Sequence, residues 1–168
     1  MTLVGSDYLL RLSGLAVSFV GFSGVIVALR RALGVELGSI HTYLVRFLIE
    51  GGLAVAAFGL LPAALSFTGL PDSTIWRVSS ATAAFVFSGY LILVFRRRLR
   101  ETPRISILRP EPIVAVPVSV VAVVGFWVNA IAIGFQPGAA LYALSLTAFF
   151  LVGGWIFIQN LDRFFGKL

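Results

Sequence analysis

The chain has 168 residues and a formal net charge of +6; 59% of its residues are hydrophobic and only 12% are charged. That charged share is about half of what a soluble domain carries, and a water-soluble core of this length cannot hide so much apolar surface, so an ordinary soluble fold is excluded. The lack of cysteine excludes disulfides, iron–sulfur clusters and thiolate metal sites.

Five apolar runs stand out: Leu12–Leu29, Tyr43–Phe67, Trp76–Phe95, Ile113–Ile133 and Ala139–Leu161. Each is close to the ~20 residues that a helix needs to cross a ~30 Å hydrocarbon layer. Backbone polar groups in lipid must be satisfied within the segment, and the runs lack the alternation of barrel strands, so helices are expected. The predicted fold is an all-α integral membrane protein, a bundle of five transmembrane helices forming a single domain over 1–168. The helices are placed at about 9–31, 42–67, 75–99, 112–134 and 138–163, with a basic loop over 96–112.

In the first span, Gly14, Ser18, Gly21 and Ala28 fall on one stripe at helical spacing, with Gly24 at its edge. Small residues let helices approach closely in lipid, so this stripe is expected to pack against another helix. Asp7 precedes the run and Arg30 and Arg31 follow it, the reverse of a signal peptide's charge order, so the span is expected to remain in the mature protein. The second span opens near His41, read as a residue at the helix end. Its segment "LVRFLIEGG" places Arg46 and Glu50 four residues apart, on a face shared with Tyr43, Ala54, Ala57, Leu61 and Ala64. Glu50 lies roughly 10 Å inside the span at ~1.5 Å per residue.

The third span starts at Trp76 and Arg77, an interface anchor, and carries Ala81, Ala84 and Ser88 on one face. The triplet "FSG" occurs at Phe22 and again at Phe87, each followed by an apolar stretch and arginines. Either a two-helix duplication or convergent use of small residues and terminal arginines accounts for this echo. Pro62 and Pro117 interrupt spans two and four and are expected to kink them. Asn129, near the end of span four, carries an amide that needs a partner in lipid. The fifth span carries Ser145 and Thr147.

The arginines fix the expected threading. Arg30, Arg31, Arg96, Arg97, Arg98, Arg100, Arg104, Arg109, Arg163 and Lys167 all fall on one side of a five-span chain, while Arg11 and Arg77 fall on the other. The positive-inside rule then sets the N-terminus outside and the C-terminus in the cytoplasm of a bacterial cytoplasmic membrane. Arg30, Arg31, Arg96, Arg97, Arg98 and Arg100 are read as topology anchors touching anionic lipid headgroups, and nucleic acid is not expected as a partner.

No phosphate-binding loop, HExxH, calcium loop or GxSxG is present, and His41 is the chain's lone histidine, so no catalytic residue, metal or cofactor is expected and the chain is not read as an enzyme. The intramembrane polar set is Arg46, Glu50, Asn129 and Ser88. Two readings of the Arg46–Glu50 pair stand: a structural pair that pins span two to its neighbours, or an ion or proton site in a polar cavity. Five short helices can hardly enclose an aqueous route and remain packed. The leading expectation is therefore a homo-oligomeric, channel-like permeation protein for a small ion or solute. The other is a non-transporting accessory or scaffold subunit of a larger membrane complex.

Overall fold

The computed structural model describes residues 3–32, 34, 39–101, 110–132 and 135–159, and within these the side chains of 30, 31, 39–44, 98–101 and 110–113 are outside the description. The described residues contain five helices: α1 (Ser6–Ala32), α2 (Ser39–Ser66), α3 (Asp72–Glu101), α4 (Pro110–Ile131) and α5 (Ala139–Gln159). All five are long and apolar enough to cross a membrane.

The helix ends follow local chemistry. The α2–α3 turn uses Gly69 at φ +74°, a left-handed conformation that costs glycine nothing. Pro71 leads into α3, where its carbonyl accepts from the amides of Thr74 and Ile75 at 2.9 and 3.0 Å. Asp72 then lies in the first turn, where a carboxylate complements the positive end of the helix.

The basic segment, expected as the end of a helix at about 75–99 overlapping a loop over 96–112, is helical through Glu101, where the described part of α3 ends. Arginine, leucine and glutamate are good helix formers, which suits the last described turn of α3. Pro110 opens α4, a position where the missing N–H costs nothing. Residues 102–109 lie outside the described residues.

Helices α2, α3, α4 and α5 close a ring, each packing on the next, and α1 lies outside it along α2 with a lighter contact to α5. Aromatic side chains fill the ring. The Phe87 centroid lies 4.2 Å from that of Phe149 and 5.2 Å from that of Phe58, and its ring stacks on Phe126 at 5.6 Å with planes 5° apart. Phe126 meets Tyr142 edge-on at 5.4 Å, and Tyr142 meets Trp76 at 5.7 Å. Phe87, Phe126, Tyr142 and Leu146 are wholly buried. Outward positions are apolar as well, among them Leu15, Val25, Phe85, Val121, Leu144 and Ile158. A surface and an interior of similar hydrophobicity are what a bilayer solvent selects, because helices in lipid associate through packing rather than through water exclusion.

The face by which α1 joins the bundle is set by glycines on α2. Leu9, Leu12, Ser13, Ala16, Ser23 and Ile26 are buried, at a spacing of three and four. A Cβ on Gly59 would run into Ser13 Oγ and stand 3.0 Å from the Leu9 carbonyl oxygen, and one on Gly52 would run into Val20. The stripe expected to pack, Gly14, Ser18 and Gly21, points away from the bundle: a Cβ on either glycine meets nothing within 4 Å, and Ser18 is exposed. Of the other small residues on expected packing faces, Ala84 is wholly buried, Ala54 and Ala81 are half-buried and Ala57 is exposed. The two "FSG" triplets also sit differently, since Phe22 is exposed and Phe87 is at the centre of the core.

The bundle has two distinct ends. The turn end carries the α2–α3 and α4–α5 connections. The basic end carries the start of α2 and the end of α3 with Arg96 and Arg97.

Candidate functional site at the basic end

Arg46 and Glu50 are one helical turn apart on α2. Arg46 Nε donates to Glu50 Oε1 at 2.5 Å. The antiparallel α3 brings a second cation to the same carboxylate, with Arg97 Nη1 donating to Glu50 Oε2 at 3.2 Å. Each carboxylate oxygen thus serves a guanidinium from a different helix, and charge-assisted bonds of this kind are the stronger sort. The side chains of Arg46, Glu50 and Arg97 are 62%, 33% and 35% exposed, so the cluster opens sideways rather than into the ring. Two turns nearer the middle of α3, Tyr90 donates its hydroxyl to the Phe47 carbonyl at 3.2 Å, and the two rings stack at 6.0 Å. These contacts stitch α2 to α3 along one seam.

Arg97, expected from the sequence among the lipid-headgroup anchors, also meets Glu50. The signal for this contact is the short α2–α3 connection, which brings the start of α2 and the end of α3 to the same end, where Glu50 is the one acid within the five apolar runs. Arg96 is exposed. The side chains of Arg30, Arg31, Arg98 and Arg100, like that of His41, lie outside the described residues.

The other two residues of the intramembrane polar set are elsewhere. Asn129 Nδ2 donates to Ser80 Oγ at 2.7 Å and to the Gly138 carbonyl at 3.1 Å, and its Oδ1 accepts from the Gly138 amide at 3.0 Å. It clasps the α4–α5 connection, where Ala132 takes a left-handed φ of 50°, a conformation costing an L-residue roughly 1–2 kcal/mol. Ser80 and Arg97 stand roughly 25 Å apart along α3 at ~1.5 Å per residue, so Asn129 and Glu50 occupy opposite ends. Ser88 accepts from Trp127 Nε1 at 3.3 Å, in the middle of α3. Asn129→Ala is expected to lower stability by about 1–3 kcal/mol, because it strands the buried Ser80 hydroxyl and frees the strained turn. Thermal unfolding in detergent, with Ser80→Ala as a reference, measures it; a loss no larger than that of Ser80→Ala would show that the clasp on Gly138 contributes nothing.

A small apolar cavity of about 20 Å³ lies beside the seam, lined by Phe19, Leu48, Gly52, Val55, Tyr90 and Phe149 among others. It has room for about one water and no larger molecule. Among the described residues no group of three or more His, Asp or Glu is placed to hold a metal ion.

Comparison with known proteins finds no matching family model, no similar curated protein and no similar solved structure. The class is therefore defined by the fold itself. Five helices of membrane-spanning length and apolarity point to a multi-pass membrane protein.

Proposed function

We propose that the chain is a homo-oligomeric, channel-like permeation protein for a small ion or solute in a bacterial cytoplasmic membrane, with its basic end in the cytoplasm. The route runs between subunits, past Arg46 and Glu50. One observation carries this reading: the ring interior is filled by stacked aromatic side chains, while the charged cluster opens laterally. The outward stripe of Gly14, Ser18 and Gly21 supplies a surface on which a neighbouring subunit's helix can approach closely.

Reconstituted full-length protein is expected to carry ion flux, and Glu50→Gln to change that flux several-fold, because it removes the one negative charge at the cluster. Gly21→Leu is expected to shift the oligomeric state while leaving the subunit fold intact, since no atom outside its own helix faces that position within 4 Å. A strict monomer, in detergent and in bilayers alike, would overturn the proposal.

A second reading, the accessory or scaffold subunit, is favoured by the partners that several polar groups of the spans already have: Glu50 two arginines, Asn129 Ser80 and Gly138, Trp127 Ser88, and Tyr8 Thr147 at 2.7 Å, while the buried Ser79 hydroxyl has none among the described residues. Under that reading the cluster is a clamp. It requires no flux in any condition, together with co-purification of a larger membrane complex.

A further inference from the structure

The charged seam has a property that goes beyond permeation and does not depend on it. Arg46 lies three residues into the apolar run that opens at Tyr43, and Arg97 lies two residues beyond the run that closes at Phe95. Both guanidinium groups therefore stand near the ends of apolar runs, on adjacent helices. Glu50, one turn deeper, accepts from both and holds them side by side across the seam. Arg97 contacts Glu50 through Nη1 while its side chain remains about a third exposed. A guanidinium fork matches the oxygens of a phosphate in shape as well as charge. Basic seams between membrane helices at the cytoplasmic boundary are places where anionic headgroups bind.

We propose that the Arg46–Glu50–Arg97 seam is a built site for a phosphate group, and that its occupant is the phosphodiester of an anionic phospholipid. Arg97 is the principal ligand and Arg46 flanks it. Glu50 is a positioning residue: it carries the wrong charge for the ligand, and its role is to fix the two forks.

The sign of the Glu50 effect separates a built site from diffuse attraction. Glu50→Gln makes the protein one unit more positive, so diffuse attraction would strengthen binding to anionic lipid, whereas loss of a positioning carboxylate weakens it. The test uses purified full-length protein in neutral detergent and follows thermal stabilisation and lipid retention in native mass spectrometry. The probes are phosphatidylglycerol, phosphatidylcholine with the same chains, and sodium phosphate. Phosphatidylglycerol is expected to be retained and to stabilise, and the other two are not. Arg97→Gln is expected to weaken retention by about fivefold, the weight of one arginine near a surface, and Arg96→Gln, of equal charge but off the Glu50 contact, by less than about twofold.

Arg97→Lys keeps the charge and supplies a variant with the fold least disturbed; it is expected to bind more weakly than the parent protein and more tightly than Arg97→Gln. Tighter binding by Glu50→Gln, equal losses from Arg96→Gln and Arg97→Gln, or equal retention of phosphatidylcholine would each overturn the site. Displacement of phosphatidylglycerol by millimolar phosphate would overturn the lipid as occupant and assign the seam to a soluble anion.

Discussion

Tyr142→Phe is expected to lower stability by about 1–3 kcal/mol, and Pro62→Ala is expected to abolish most of that loss. Pro62 lies inside α2 and is fully buried. It has no N–H, so the carbonyl four residues earlier, that of Phe58, loses its helical donor. The Tyr142 hydroxyl of α5 supplies the replacement, donating to the Phe58 oxygen at 2.6 Å with both groups buried. Phenylalanine at 142 would keep the ring contacts to Trp76 and Phe126 and remove only the donor, leaving a carbonyl in an apolar interior that water does not reach. Alanine at 62 restores a backbone N–H that can donate to the same oxygen. The two substitutions should therefore be strongly non-additive, and a double-mutant cycle on reversible unfolding in bicelles measures the coupling directly. If Tyr142→Phe costs the same in both backgrounds, the hydroxyl is not the proline's substitute.

That pairing shows where sequence reading stops. Pro62 is legible in the sequence as a proline within span two, and α2 runs through it from Ser39 to Ser66. Its compensating tyrosine is not legible, because Tyr142 lies on another helix 80 positions away and composition carries no register between helices. The same limit explains α1. Its sequence has two stripes of small residues, Gly14–Ser18–Gly21 and Ser13–Ala16, and periodicity rates them alike. The buried one is chosen by α2, whose Gly52 and Gly59 leave room for Ser13, Ala16 and Val20 and for nothing larger.

The five helices themselves follow from run length and hydropathy, quantities local to each segment. At the candidate site, the Arg46–Glu50 pair was legible because both ends lie on one helix, four residues apart. Arg97 is hidden by its neighbours, since a run of arginines at a span end reads as an anchor whichever member reaches the adjacent helix. Asn129 was legible as a group needing partners, but not as the clasp of a turn, because its partners Ser80 and Gly138 come from another helix and from the connection that follows.

The close approach of α1 and α2 leads to a ranked series. Gly59→Ala is expected to destabilise by about 1–3 kcal/mol, the usual cost of overpacking; Gly52→Ala is expected to cost clearly less, and Gly14→Ala to be neutral or slightly stabilising. The order comes from what each new methyl would meet. At Gly59 it runs into Ser13 Oγ and stands 3.0 Å from the backbone oxygen of Leu9. The backbone of α1 cannot yield without moving the helix, and turning Ser13 aside breaks its 3.1 Å bond to the Ala56 carbonyl. At Gly52 the obstacle is a methyl of Val20, a side chain that can shift, and the nearest backbone oxygen, that of Ala16, is at an ordinary 3.5 Å. At Gly14 there is nothing to meet, so the substitution is left with the gain in helix propensity, up to about 1 kcal/mol for glycine to alanine. Thermal unfolding in detergent gives the ranking. A cysteine pair introduced across the α1–α2 contact then reports whether Gly59→Ala separates the two helices or merely strains them. A Gly59→Ala variant as stable as the parent chain, or less damaging than Gly52→Ala, would mean that α1 does not sit on α2 through this face.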